Sequence, residues 1–264
     1  MYNVFINVLG NPHSVGESML IEVLDKNSNY SYVIKIYENL ADRVAKVLPF
    51  NTKLNVWKEE VYFQTPIKLE GEASTYRIKL GEVYYWPPGK SFCLFYGISE
   101  PYTPVILVGN FIGPLYYLRY VQDGDEAEVK LHSISNEYSE LVNALSERGY
   151  DVASPLNGDV IAFAASKSVR EGLRLSFLIF KEPYGYHVES DAFFKYDFTY
   201  HTLRIIKRIK EEVALRARYV RLDVNEDGYI VLTAGIRRLE ELLEAIEELE
   251  LNYPEICSLL LQKI

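Results

Sequence analysis

Chemistry in this sequence would have to come from one cysteine, one acidic loop, a run of cations or the few histidines. Cys93 sits in SFCLFYG, residues 91–97. A nucleophilic thiol needs a neighbouring histidine, cation or helix N-terminus to lower its pKa. Strand alternation puts Ser91, Cys93 and Phe95 on one side and Phe92, Leu94 and Tyr96 on the other, with no such neighbour. A buried, inert thiol is expected. DVNEDGYI, residues 223–230, copies the start of a calcium loop through Asp223, Asn225, Asp227 and Gly228. Its twelfth position is Ala234 rather than a bidentate glutamate, and strand-type sequence flanks it. A hairpin turn through Asp227-Gly228 accounts for it without metal.

Arg204, Lys207, Arg208 and Lys210 suggest phosphate contacts, but Glu211 and Glu212 interrupt them. A solvated helix face is expected. His13, His132, His187 and His201 show no metal-ligand spacing, and no P-loop, dinucleotide fingerprint or local Ser-His-Asp set is present. Glu59-Glu60 and Glu240-Glu241 read as surface pairs, not as an acid/base couple. No cofactor and no metal is therefore expected.

The composition narrows the class. A chain of 264 residues with 48% hydrophobic and 14% aromatic content can fill two cores. A net charge of −9 disfavours nucleic acid and anionic membranes as partners. MYNVFINV lacks the basic and apolar regions of a signal peptide, and two distant cysteines do not make a disulfide framework. A cytoplasmic protein is expected. Few glutamines beside abundant Tyr, Ile and Glu lean toward a heat-adapted source.

The elements that must position these residues change in texture near Gln122-Asp123-Gly124-Asp125-Glu126. Before that segment short strands dominate: YNVFINV, a MLIEVL/YSYVIKIY hairpin, then LNVW, EVYFQ, IKLE, TYRIKL, EVYYW, SFCLFYG, PVILVGNFIG and LYYLRYV. One helix interrupts them, capped by Asn39 and ended by Pro49, with Leu40, Val44, Val47 and Leu48 on one face. Pro88 and Gly89 suit the centre of a type II turn between Trp86 and Ser91. So many strands predict a closed barrel, which removes exposed edges. From AEVKLHS onward helices alternate with strands, which predicts an α+β unit with an antiparallel sheet and three main helices. Domains are expected at 1–122 and 126–264.

ADRVAKVLPF, NVWKEEVYF, GEVYYWPPGKSFCLFYG and ILVGNFIG together resemble the prokaryotic cyclophilin-like family, whose role is largely unassigned. The resemblance implies a cyclophilin-type barrel over most of residues 17–121. It also implies a peptide groove, with Trp57, Tyr62, Phe63, Gln64, Trp86 and Tyr96 as candidates. Cyclophilins that isomerise prolyl bonds carry Phe-His-Arg followed by Gln-Gly-Gly-Asp. LNVWKEEVYFQTP has no Arg, His or Gly-Gly there, and Lys58 cannot copy a guanidinium's planar fork. The second half resembles, by element order alone, the type III secretion chaperone-like fold, which implies work through protein contacts. The expectation is a non-catalytic binder of a peptide or protein. A divergent prolyl isomerase and a barrel enclosing a small molecule are the alternatives.

Overall fold

The computed structural model describes residues 19–170 and 172–261, so the expected YNVFINV strand and His13 lie outside the described residues. Strands β1 (Met19–Asp25) and β2 (Ser31–Ile36) form the predicted hairpin. The Asp25 carboxylate holds its turn by accepting the Asn27 N–H at 2.8 Å. Helix α1 (Glu38–Ala45) follows, with Leu40, Ala41 and Val44 buried. Asn39 does not cap it. Tyr37 is the boundary residue, and no side chain bonds the first N–H groups. Then come β3 (Phe50–Trp57), β4 (Glu60–Gln64), β5 (Glu82–Trp86), β6 (Ser91–Phe95), β7 (Ile106–Ile112) and β8 (Glu126–Leu131).

These eight strands close into an antiparallel barrel in the order β1-β2-β7-β5-β6-β4-β3-β8, with β8 returning to β1. Alternation decides what fills it. Leu54, Val61, Phe63, Val83, Tyr85, Phe92 and Leu94 all point inward and are almost inaccessible. Phe92 makes edge-to-face contacts with Phe63 at 5.8 Å and Tyr85 at 6.2 Å between centroids. A small molecule held inside the cylinder would have to displace these rings.

Four sequence expectations change here. AEVKLHS does not open the second unit; its strand β8 pairs with both β1 and β3 and closes the barrel. We therefore place the division after Leu131 rather than at 122–126. IKLE forms no strand, yet Ile67 and Leu69 are buried against the barrel core as anchors of a crossing loop. TYRIKL contributes only a single bridge, Thr75 to Val105. LYYLRYV is a short 3-10 helix, Leu115–Tyr120, because the Asp191 carboxylate accepts the Leu115 N–H at 2.8 Å and the Tyr116 N–H at 3.4 Å.

In the second half α2 (Ser139–Ser146) leads to β9 (Asp151–Ala153), a small β10 (Leu156–Asn157) and β11 (Val160–Ile161) pair, and β12 (Phe163–Arg170). Next are β13 (Leu173–Glu182), β14 (Gly185–Ser190), β15 (Phe194–Lys195), α3 (Tyr200–Arg216), β16 (Arg221–Val224), β17 (Tyr229–Ile236) and α4 (Leu239–Leu261). The antiparallel sheet runs β15-β17-β14-β13-β12-β9, with β16 also on β17. The three expected helices are present. Helix α4 runs through Pro254, past the Tyr-Pro-Glu where the pattern ends, since Tyr253 and Ile256 are buried in the core. Among the described residues no helix is long and apolar enough to cross a membrane.

The units meet through small residues: Ala153, Ala162 and Ala164 let the sheet approach Val33 and Ile112 of the barrel. Beside this contact the Arg174 side chain is largely but not fully buried, 16% exposed. It donates to the carbonyls of Phe111 at 2.7 Å and Gly113 at 2.8 Å, and its Nη1 lies 3.9 Å from the Asp191 carboxylate. Removing one member of a buried pair strands the other charge. Asp191→Ala is expected to lower the unfolding free energy by about 3–5 kcal/mol in urea titrations. Glu70→Ala, which breaks the exposed Lys68–Glu70 pair, should leave the urea midpoint in place.

Candidate functional site

Strands β3 to β6 alternate, so each residue pointing into the barrel is followed by one pointing out. The outward set on neighbouring strands is Trp57, Glu60, Tyr62, Trp86, Cys93 and Phe95, in the registers Trp57↔Glu60, Tyr62↔Cys93 and Glu60↔Phe95. The loop 96–105 folds over them and adds Pro101, Tyr102, Thr103 and Val105. Together they enclose a cavity of about 360 Å3. That is enough for a side chain or a small organic molecule. Its wall is rigid because β6 is buried on both faces, Phe92 and Leu94 inside the barrel and Cys93 and Phe95 outside.

Specific bonds fix the loop. The Trp86 indole donates to Thr103 Oγ1 at 2.7 Å, and the Ile98 N–H donates to Glu59 Oε2 at 2.7 Å. The Tyr96 hydroxyl donates to the Lys58 carbonyl at 3.1 Å. Lys58, at φ 54, turns its ammonium to 4.3 Å from the Trp57 ring centroid and 4.6 Å from that of Tyr102. Trp57 and Tyr102 meet edge to face at 4.9 Å. The β5–β6 turn is not the expected type II, because Gly89 does not take a positive φ and Lys90 does, at 48°. Gly89 serves a different need: a Cβ there would lie 2.4 Å from the Trp86 ring.

Glu60 is the residue that sequence reasoning missed. Expected at the surface beside Glu59, it is only 7% exposed and lines the floor of the cavity. Burial pushes its carboxyl above the usual carboxylate range, and a hydrogen bond with the Cys93 thiol offsets this in part. Cys93 is itself buried and pushed well above the ordinary thiol value, first by burial and then by Glu60. Both effects disfavour the thiolate that a nucleophile needs. The available signal was register: Glu60 shares its strand face with Tyr62, two residues on.

Of the six groove candidates, Trp57, Tyr62 and Trp86 come together here. Phe63 does not; it is inside the barrel. Gln64 lines a broader, polar cleft of about 1020 Å3 with Lys26, Asn51, Asn55 and Glu126, and Tyr62 borders both. That cleft is larger but open and lacks a buried titratable group. Tyr96 faces the junction of the two units, where Arg119 sits 5.1 Å above its ring.

The other candidate motifs resolve as structure. Asn225 accepts the Tyr229 N–H at 2.8 Å and donates to Glu189 at 3.0 Å, while Asp227 takes the Tyr120 hydroxyl, so the acidic loop is a turn tied to the unit junction. His132 Nε2 accepts the Ser154 N–H at 3.1 Å. Arg204, Lys207, Arg208 and Lys210 lie exposed along α3. Among the described residues no group of three or more His, Cys, Asp or Glu is placed to hold a metal ion.

With this geometry in place, comparison with known proteins is informative for the barrel. Residues 21–130 match the family model described as Cyclophilin-like. Over these residues the barrel is similar to the cyclophilin-like family. Among solved structures, the hypothetical protein AF2241 from Archaeoglobus fulgidus is similar at 27% identity and a TM-score of 0.37, the match covering 44% of this chain and 95% of that one. McbB, in its complex with tryptophan, is similar at 15% identity and a TM-score of 0.36, covering 48% and 54% respectively. No curated protein matches the chain.

The position of Glu60 makes a pH prediction for the cyclophilin-like barrel. A carboxyl with a raised folded-state pKa binds its proton more tightly when folded. Its contribution to stability is present below the unfolded value and falls as pH rises toward the folded value. Glu60→Gln removes that dependence. The stability of Glu60→Gln relative to the parent should therefore be more favourable at pH 7 than at pH 4 in urea titrations, and equal differences would show Glu60 to be solvated.

Proposed function

We propose that this protein is a non-catalytic, cytoplasmic binding protein. Its cyclophilin-like barrel takes a side chain or short segment of a peptide or protein in the cavity on its outer wall. The observation that carries the reading is that both tryptophans of the chain, Trp57 and Trp86, line this one cavity over a packed barrel. Aromatic walls that are fixed before binding give contact area at little entropic cost. Two free thiols, one of them buried, fit a reducing compartment.

A divergent prolyl isomerase is the second reading, favoured by one feature. Glu60, held toward its neutral form by burial, could donate a hydrogen bond to a prolyl nitrogen or flanking carbonyl. The stretch LNVWKEEVYFQTP, where an isomerase carries an arginine, has none here, and the ammonium of its Lys58 is drawn to the Trp57 and Tyr102 rings.

Because the cavity holds the chain's only tryptophans, indole fluorescence and the two indole N–H resonances report on it directly. Titration with apolar and proline-containing peptides should give a saturable shift in both indoles that Trp57→Ala weakens by about tenfold or more. Peptides that shift neither indole end the binding reading. Exchange spectroscopy on Ala-Pro peptides separates the second: isomerisation above background, abolished in folded Glu60→Gln, would make the protein an enzyme.

A further inference from the structure

Trp57, Tyr62, Trp86 and Tyr102 surround the cavity, and Glu60 lies at its floor. Glu60 is only 7% exposed, its side-chain partner is the Cys93 thiol, and among the described residues it forms no ion pair. A buried carboxyl without a cation is an unfavourable arrangement that a well-packed apolar residue would avoid. Electron-rich ring faces around a carboxyl are what a desolvated ammonium group requires. The molecule supplies its own precedent: the Lys58 ammonium already rests against the Trp57 and Tyr102 rings and donates to the Tyr102 hydroxyl at 3.0 Å. The net charge of −9 favours the approach of cations over anions.

We propose that the cavity is a recognition site for an organic ammonium group on an apolar stem, held by the aromatic walls and by the Glu60 carboxylate. This rests on the binding role given above and specifies its ligand. A guest of this kind places its methyl or methylene groups against the rings and its charge above Glu60. A neutral guest of the same shape fills the same space and leaves the carboxyl unpaired.

The test compares choline with its uncharged isostere 3,3-dimethylbutan-1-ol, by calorimetry and by the two indole N–H resonances of the full chain. Choline is expected to bind at least about tenfold more tightly than the alcohol. Glu60→Gln, checked for native circular dichroism, should bring the two within about threefold of each other. Lys58→Gln removes a like charge from the rim and should strengthen choline binding about twofold to threefold. If the alcohol binds as well as choline, the cavity is merely apolar, and the ammonium assignment falls while the binding role stands. If neither ligand nor any peptide moves either indole, both fall. A capped trimethyl-lysine peptide provides the last arm: tighter binding than choline places the ammonium on a protein partner, and weaker binding places it on a free small molecule.

Discussion

The largely buried Arg174 guanidinium and Asp191 carboxylate, between barrel and sheet, impose the constraint on which the arrangement of both units depends. Arg174 fixes the carbonyls at the end of β7, and Asp191 fixes the first N–H groups of the 3-10 helix that follows. The chain can leave β7 only along the path these bonds allow. That path leads through the 3-10 helix to β8, which closes the cylinder. Ser176 and Ser166 complete the network, which limits the unmet hydrogen-bonding needs of the buried ions.

This non-local bond also explains which parts of the fold were legible in the sequence. Alternation over NVWKEEVYF and EVYYW reports sheet faces locally, so the barrel strands, the β13–β14 and β16–β17 hairpins and the long helices could be read directly. LYYLRYV could not, because its helical turn is made by a carboxylate 75 or 76 residues away. AEVKLHS was misplaced for a similar reason: a strand pattern does not say which sheet it joins, and the acidic segment before it looks like a linker while acting as a tight turn. Asp123 and Asp125 there bond back to the Val56 and Gln122 N–H groups.

The candidate site shows the same division between local and non-local information. Trp57, Tyr62 and Trp86 were found because large aromatics cluster in the matched stretch. Phe63 was grouped with them by residue type, although it follows Tyr62 and must point the opposite way. Glu60 was lost to the habit of reading adjacent acids as surface charge. The two neighbours in fact part company: Glu59 reaches out to hold the loop, while Glu60, on the strand, turns under it. No local pattern announced that the loop 96–105 would cover that face, and without a cover Glu60 would be an ordinary solvated carboxylate.

The barrel interior is packed with rings, so on the proposed reading selectivity is built on the outside of the wall. Doing so requires a second hydrophobic layer, and β6 supplies it by being apolar on both faces. The outer layer is then backed by a close-packed interior that resists deformation, which is the condition under which a few side chains can hold a fixed geometry. Glu60 places a carboxyl in this largely apolar layer. Its burial disfavours the ionised form in the empty protein, and a cation entering the cavity reverses that preference. The energy withheld by burying the acid becomes available only to a ligand bearing the complementary charge, so the same residue that weakens the fold at neutral pH is the one able to discriminate among guests of equal shape.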